Sequence, residues 1–214
     1  MIGDDSGLSD RLHARWNSLM ARLGVGSGSS EAIREKLFFL HREPGRHYHN
    51  LRHVEECLME LDAESTGGLD RDEIALALWF HDAVYDPKVS DNEAASARLA
   101  SESLTALELP GATIERVRRL ILATDHRRMP ETDAEKRIAD IDLSILGSSE
   151  VHYNRYASAI RGEYRHVPEV TYRIGRRKVL RNFLDRPSIY HTHDFRARFE
   201  NTARRNLRAE LERL

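Results

Sequence analysis

The chain has 214 residues, enough for one large domain or two small ones and for a substantial hydrophobic core. Its 33 Lys and Arg stand against 35 Asp and Glu, a net charge of −2, which excludes the strongly basic whole-chain footprint of a nucleic-acid binder. The single cysteine, Cys57, excludes a disulfide framework within the chain and fits a reducing cytosol.

No apolar stretch approaches the ~20 residues that a membrane helix needs. The acidic N-terminal "MIGDDSGLSD" lacks a signal-peptide core. The expectation is a soluble, cytoplasmic protein with no membrane partner. Charge is unevenly spread: residues 161–214 carry 14 Arg/Lys against 7 Asp/Glu, a local +7, which leaves −9 for the rest. Such a basic third could attract an anionic substrate or could be a solvated helical surface.

The periodicity is helical nearly throughout, and no Asn-Gly or Asp-Gly hairpin turn occurs. The first helix is expected over "SDRLHARWNSLMARLG", with Ser9 or Asp10 as cap and Gly24 as stop. The second follows a short linker, capped by Ser29 or Ser30, and "EPGR" breaks it. Further helices are expected from Asn50 to Glu64, broken at "STGG", and from Asp70 to Tyr85. Asp91 caps the next, "NEAASARLASESLTALEL", which Pro110-Gly111 punctuate. After them come "ATIERVRRLILATDH", "ETDAEKRIADIDLSIL", "SEVHYNRYASAIRGEYRHV", "EVTYRIGRRKVLRNFL" and "FRARFENTARRNLRAELERL". Short linkers and even composition point to one all-α domain, residues 1–214, of about nine or ten helices. In it, helices within 5–42 pack on a core at 48–147, followed by helices within 150–213.

Within "ALWFHDAVYD" an imidazole and a carboxylate, His81 and Asp82, interrupt a run from Ile74 to Tyr85 that is otherwise almost wholly apolar. That run has hardly a polar face, so it should be buried on most sides. A buried carboxylate without a partner costs several kcal/mol. Arginines and backbone donors could satisfy the pair; so could a metal ion, which compensates the carboxylate and accepts an imidazole nitrogen. Upstream, "HYHNLRHVEECLMEL" sets His49 and His53 four apart, on one face if both are helical. Downstream, "RIADIDLSILG" buries Asp140 and Asp142 among apolar residues; two apart, they diverge by about 200° on a helix and only one can face a given centre. One shared metal accounts for polar groups on three separate apolar helices.

The order His53, His81-Asp82, Asp142 resembles the H…HD…D signature of the HD-domain superfamily of metal-dependent phosphohydrolases. The likeness continues through "YHNLRH", "WFHDAVYD", "DNEAAS", "DIDLSILG", "GRRKVLRNFL" and "ARRNLRAEL", which look like stand-alone predicted HD phosphohydrolases. It implies an all-α HD-type helical bundle with one divalent ion (Mn, Fe, Co, Ni, Zn or Mg) held by His53, His81, Asp82 and Asp142. Between Asp82 and Asp142 the only histidine is His126, which implies one tight ion and at most a weak second one bridged by Asp82. The family pattern takes Asp142, the second Asp of D-x-D, as ligand.

"YHNLRH" is also similar to a stretch of the cyclic-nucleotide phosphodiesterases, where the second His ligates metal and the first protonates the leaving oxygen. Carried across, His53 is a ligand and His49 the general acid, with Asp82 the other catalytic residue. No counterpart of their purine-binding glutamine is evident. Glu93 could orient a ligand or water, or favour a helix start; His126 could meet substrate or a helix C-terminus. Arg176 and Arg177 are the candidates for phosphate contact, since guanidinium forks match phosphate oxygens. His193-Asp194, a second HD pair, lies in a polar turn and reads as a helix start capped by Thr192 or Asp194. His13, His41, His47, His152 and His166 read as surface or packing residues.

The activity so implied is hydrolysis of a phosphate mono- or diester of a small molecule, such as a nucleotide, by a metal-activated water; a homo-oligomer is compatible with it. The competing reading is a non-catalytic HD module that binds or senses a nucleotide. A di-iron oxygenase needs more ligands than the sequence offers. RNA binding through the basic C-terminal helices would show as steep salt dependence.

Overall fold

The computed structural model describes the backbone of residues 5–63 and 69–214. Among them are ten α-helices and a 3-10 turn, with no strand. This is the expected all-α class and helix number. The expected break at "STGG" lies outside the described residues. No helix among those described is long and apolar enough to cross a membrane. The chain divides between residues 128 and 129 into two compact units.

The first unit holds α1 (Asp5–Arg22), α2 (Ser27–His41), α3 (Leu51–Ala63), α4 (Leu69–Phe80), α5 (Asn92–Ala106) and α6 (Gly111–Ala123). Helix α4 is its axis. Every residue from Glu73 to Phe80 is buried, as the missing polar face requires, and α3, α5 and α6 all pack on it. Glu73 is satisfied by both arms of Arg116, at 2.8 and 2.6 Å. Trp79 meets the edge of Trp16 from α1 (centroids 5.4 Å apart) and stacks near Phe38 from α2. Burying each such ring contributes roughly 1.5–3 kcal/mol.

Two helix starts differ from expectation. Ser9 and Asp10 lie inside α1, and α2 begins at Ser27 with Gly26 at its cap position, ahead of Ser29 and Ser30. Serine and aspartate near a helix start are read as caps from propensity alone, but both helices begin a few residues upstream of the expected caps.

The second unit holds α7 (Asp133–Asp142), the 3-10 turn Leu143–Gly147, α8 (Glu150–Glu163), α9 (Glu169–Leu184) and α10 (His193–Arg213). A capping box starts α7: Thr132 Oγ1 accepts from Glu135 N–H, and the Glu135 carboxylate accepts from the Glu131 and Thr132 N–H groups. Helix α10 lies against the 3-10 turn and α9. At Gly147 a Cβ would stand 2.5 Å from Phe199 Cβ and 2.9 Å from its Cα, so only glycine permits this approach. Asn206, buried in α10, donates to the Leu146 and Ser148 carbonyls at 2.9 Å and fixes the turn.

Candidate metal centre

His53 projects from the first turn of α3, which starts at Leu51, one residue later than expected. His49 therefore lies outside the helix, in the preceding turn, and the helical spacing assumed for the two histidines does not apply. The shape of that turn brings them together instead, with ring centroids 6.0 Å apart, while His49 stacks on Tyr85 at 4.1 Å. Tyr48 covers His53 from the same turn at 4.6 Å.

Helix α4 ends at Phe80, although the apolar run continues to Tyr85. His81 N–H still bonds the Ala77 carbonyl, and then the chain leaves the helix. Side chains from elsewhere in this unit take up the backbone groups of the turn that follows. Arg46, whose side chain is only 3% exposed, donates to the Asp82 carbonyl at 2.6 Å and the Ala83 carbonyl at 2.9 Å, and to the His49 carbonyl at 3.1 Å. Ser96 takes the Val84 N–H and carbonyl, and Asn92 pairs with both backbone groups of Asp86. The "DNEAAS" stretch thus pins the loop behind the HD pair through Asn92 and Ser96. One buried guanidinium ties the turn of His49 to the turn of Asp82.

Three donor atoms converge there. His53 Nε2 lies 3.1 Å from His81 Nε2; Asp82 Oδ2 lies 3.1 Å from His81 Nε2 and 3.5 Å from His53 Nε2. Nδ1 of His81 is 2.9 Å from the Leu78 carbonyl. A carbonyl can only accept, so Nδ1 carries the proton and Nε2 presents its lone pair inward, the orientation a metal-ligating histidine takes from an outer partner. Cys57, one helical turn beyond His53, brings Sγ to 3.7 and 3.8 Å from the two nitrogens of His53. Donor atoms of His53, Cys57 and His81 all lie within 4.8 Å of one another, and the three side chains are buried. This group is compatible with a metal ion.

Burial pushes the Asp82 carboxyl up, but His81, His49 and His53 together hold it well below the usual carboxylate range. His41 lies behind the centre with Nε2 3.4 Å from the Trp79 carbonyl. Burial, with help from Arg46 and His81 and against Asp82, pushes it down to about 3, so it is neutral at pH 7. In the first turn of α5, Glu93 is raised by burial and by the carboxylates of Asp125 and Asp82, against its own N–H and Arg127. His126 is half-buried just past α6.

In the second unit the two aspartates of D-x-D part ways. Asp140 is fully buried and accepts three bonds of 2.7 Å, from the N–H groups of His191 and Thr192 and from the Thr192 hydroxyl. Its carboxylate is consumed by the segment that starts α10. Asp142, the last residue of α7, is half-buried. Arg176 differs from the solvent-facing phosphate contact expected of it. It is buried, holds both Glu210 oxygens at 2.7 and 3.0 Å, and lies over the Tyr156 ring; Arg177 beside it is exposed. Helix periodicity explains the pair, since neighbours in sequence point about 100° apart. Thr192 caps α10, and Asp194 pairs with Arg198 at 3.3 Å, so the second HD pair starts a helix.

Sequence reasoning missed Arg46, Cys57, Asn92 and Ser96. Of these only Cys57 left a usable signal, the His-x-x-x-Cys spacing along α3. Comparison of the chain with family models, curated proteins and solved structures finds no match.

Proposed function

We propose that this chain is a metal-dependent phosphohydrolase. Its substrate would be a small phosphate mono- or diester of the nucleotide type, and one divalent ion would be held by His53, His81 and Asp82. The observation that carries the reading is the convergence of two imidazole Nε2 atoms and one carboxylate oxygen within 3.1–3.5 Å, at the buried end of an apolar helix. Asp142 is assigned to the same ion on the H…HD…D order of the sequence alone, a choice helped by the full occupation of Asp140.

A divalent ion bound there supplies a water of lowered pKa and neutralises charge on a phosphate oxygen. The chain does the rest. His81 is fixed in its tautomer by Leu78. Arg46 sets the distance between the turns of His49 and Asp82. His49, half-buried and stacked on Tyr85, is the proton donor to the departing oxygen. Glu93 and His126 are assigned to the substrate side of the centre, and Arg177 to a phosphate oxygen.

The test is the metal content of the purified chain beside His81→Ala and Asp82→Ala, followed by a screen of nucleotides and phosphate esters with the loaded protein. About one ion per chain in the wild type, absent from both folded variants together with turnover, is expected. A folded wild type that takes up none of Mn, Fe, Co, Ni or Zn overturns the hydrolase reading. Nucleotide binding that persists without turnover would then favour the non-catalytic sensing module.

A further inference from the structure

We propose that Cys57 is a thiolate ligand of this centre, so that the ion it prefers is zinc or a similarly thiolate-tolerant metal, in place of magnesium or manganese. The inference rests on the metal-site reading above and deepens it. His53 and Cys57 stand four residues apart in α3, so their side chains leave the same face one turn apart. A single rigid helix turn therefore presents an imidazole and a thiol together, and His81 comes from the end of α4 to meet them.

The spacings suit one ion. With metal–nitrogen bonds of about 2.0–2.1 Å and metal–sulfur bonds of about 2.3 Å, a tetrahedral site has a nitrogen–sulfur edge of about 3.6 Å and a nitrogen–nitrogen edge of about 3.4 Å. The observed edges are 3.8 Å from Cys57 Sγ to His53 Nε2 and 3.1 Å between the two Nε2 atoms. Cys57 Sγ is also 3.7 Å from His53 Nδ1, so its side chain must swing from between the two ring nitrogens to the Nε2 side to share the ion. Cys57 is 1% exposed, which shields its sulfur from bulk oxidants, and it has no second cysteine with which to form a disulfide. As the metal–sulfur bond forms, the thiol proton passes to solvent and no electron is transferred. Thiolate sulfur is a soft donor that favours zinc over the hard oxygen-seeking ions, and this separates the centre from one made of nitrogen and oxygen alone.

The experiment uses the full chain, stripped of metal with a chelator and titrated anaerobically with cobalt(II) alone. Cys57 is the sole cysteine, so any sulfur-to-cobalt charge-transfer band must come from it. In the wild type that near-ultraviolet band is expected to grow to one cobalt per chain. In Cys57→Ser and Cys57→Ala the visible cobalt bands persist and the charge-transfer band is gone. Zinc affinity measured by competition should drop at least about tenfold in Cys57→Ser, a loss that even outer-layer partners cause, while manganese affinity stays within a factor of about two. A wild type that binds cobalt with visible bands but no charge-transfer band overturns the thiolate and leaves the hydrolase reading intact. A wild type folded by circular dichroism that binds no cobalt at all overturns both.

Discussion

Replacing Arg46 with methionine tests whether one guanidinium sets the geometry of the centre. The methionine keeps most of the buried stem and removes four contacts. That with Glu43, at 3.3 Å to a carboxylate 41% exposed, is worth little. The three to the carbonyls of His49, Asp82 and Ala83 are charge-assisted, each worth about 1.5–3 kcal/mol before water returns. These carbonyls are only partly buried, and water will recover some of the loss. Removing one side of such a network then costs about 3 kcal/mol. With a urea slope of about 2 kcal/mol per molar, the midpoint should fall by about 1.5 M, read by far-ultraviolet circular dichroism. Metal affinity should fall with it, since the turns of His49 and Asp82 lose their tie. A midpoint shift below about 0.3 M would refute the reasoning. A full shift with unaltered metal affinity would reduce Arg46 to a fold residue with no hold on the site.

His41 gives a pH dependence of definite sign. Its pKa is about 3 when folded and ordinary when unfolded, so the unfolded chain takes the proton first as pH falls. Its contribution is complete above pH ~6.5 and declines below it by up to about 1.4 kcal/mol per unit; urea midpoints at pH 7 and 5 should converge in His41→Gln relative to the wild type. Asp140→Asn should cost about 2–4 kcal/mol, because an amide cannot accept all three donors, yet keep its metal. Asp142→Asn should do the reverse, losing metal with little loss of stability, and paired denaturation and metal analysis of the two variants would tell. Gly147→Ala must push Phe199 and the α10 backbone aside, and a loss of about 2 kcal/mol or more in chemical denaturation is expected.

Where one helix face or one residue type decides the outcome, the sequence was readable. Helix α9 runs from Glu169 to Leu184 as expected, because Pro168 before it and Asp185-Arg186-Pro187 after it leave no alternative. The burial of α4 followed from its missing polar face, and His53, His81 and Asp82 do meet. What could not be read were events set by contacts distant in the chain. Helix α4 stops five residues short of its apolar run, where Ser96 from the next helix takes the Val84 N–H that would otherwise bond the Phe80 carbonyl. Arg176 is hidden because Glu210, 34 residues later, reaches it. Cys57 drew no attention because a lone cysteine in an apolar helix is most simply a small hydrophobe. Its spacing of four from His53 becomes informative once the two are seen to lie together in space.

The end of α4 at Phe80 has a further consequence. A helix of this length carries roughly half a negative charge at its carboxyl end, concentrated in the carbonyls of the last turn. His81 and Asp82 sit directly on that pole. The backbone of α4 therefore draws positive ions toward this spot and repels phosphate from it, before any side chain is counted. An anionic group entering here must be gripped from elsewhere, by groups projecting from the opposite side.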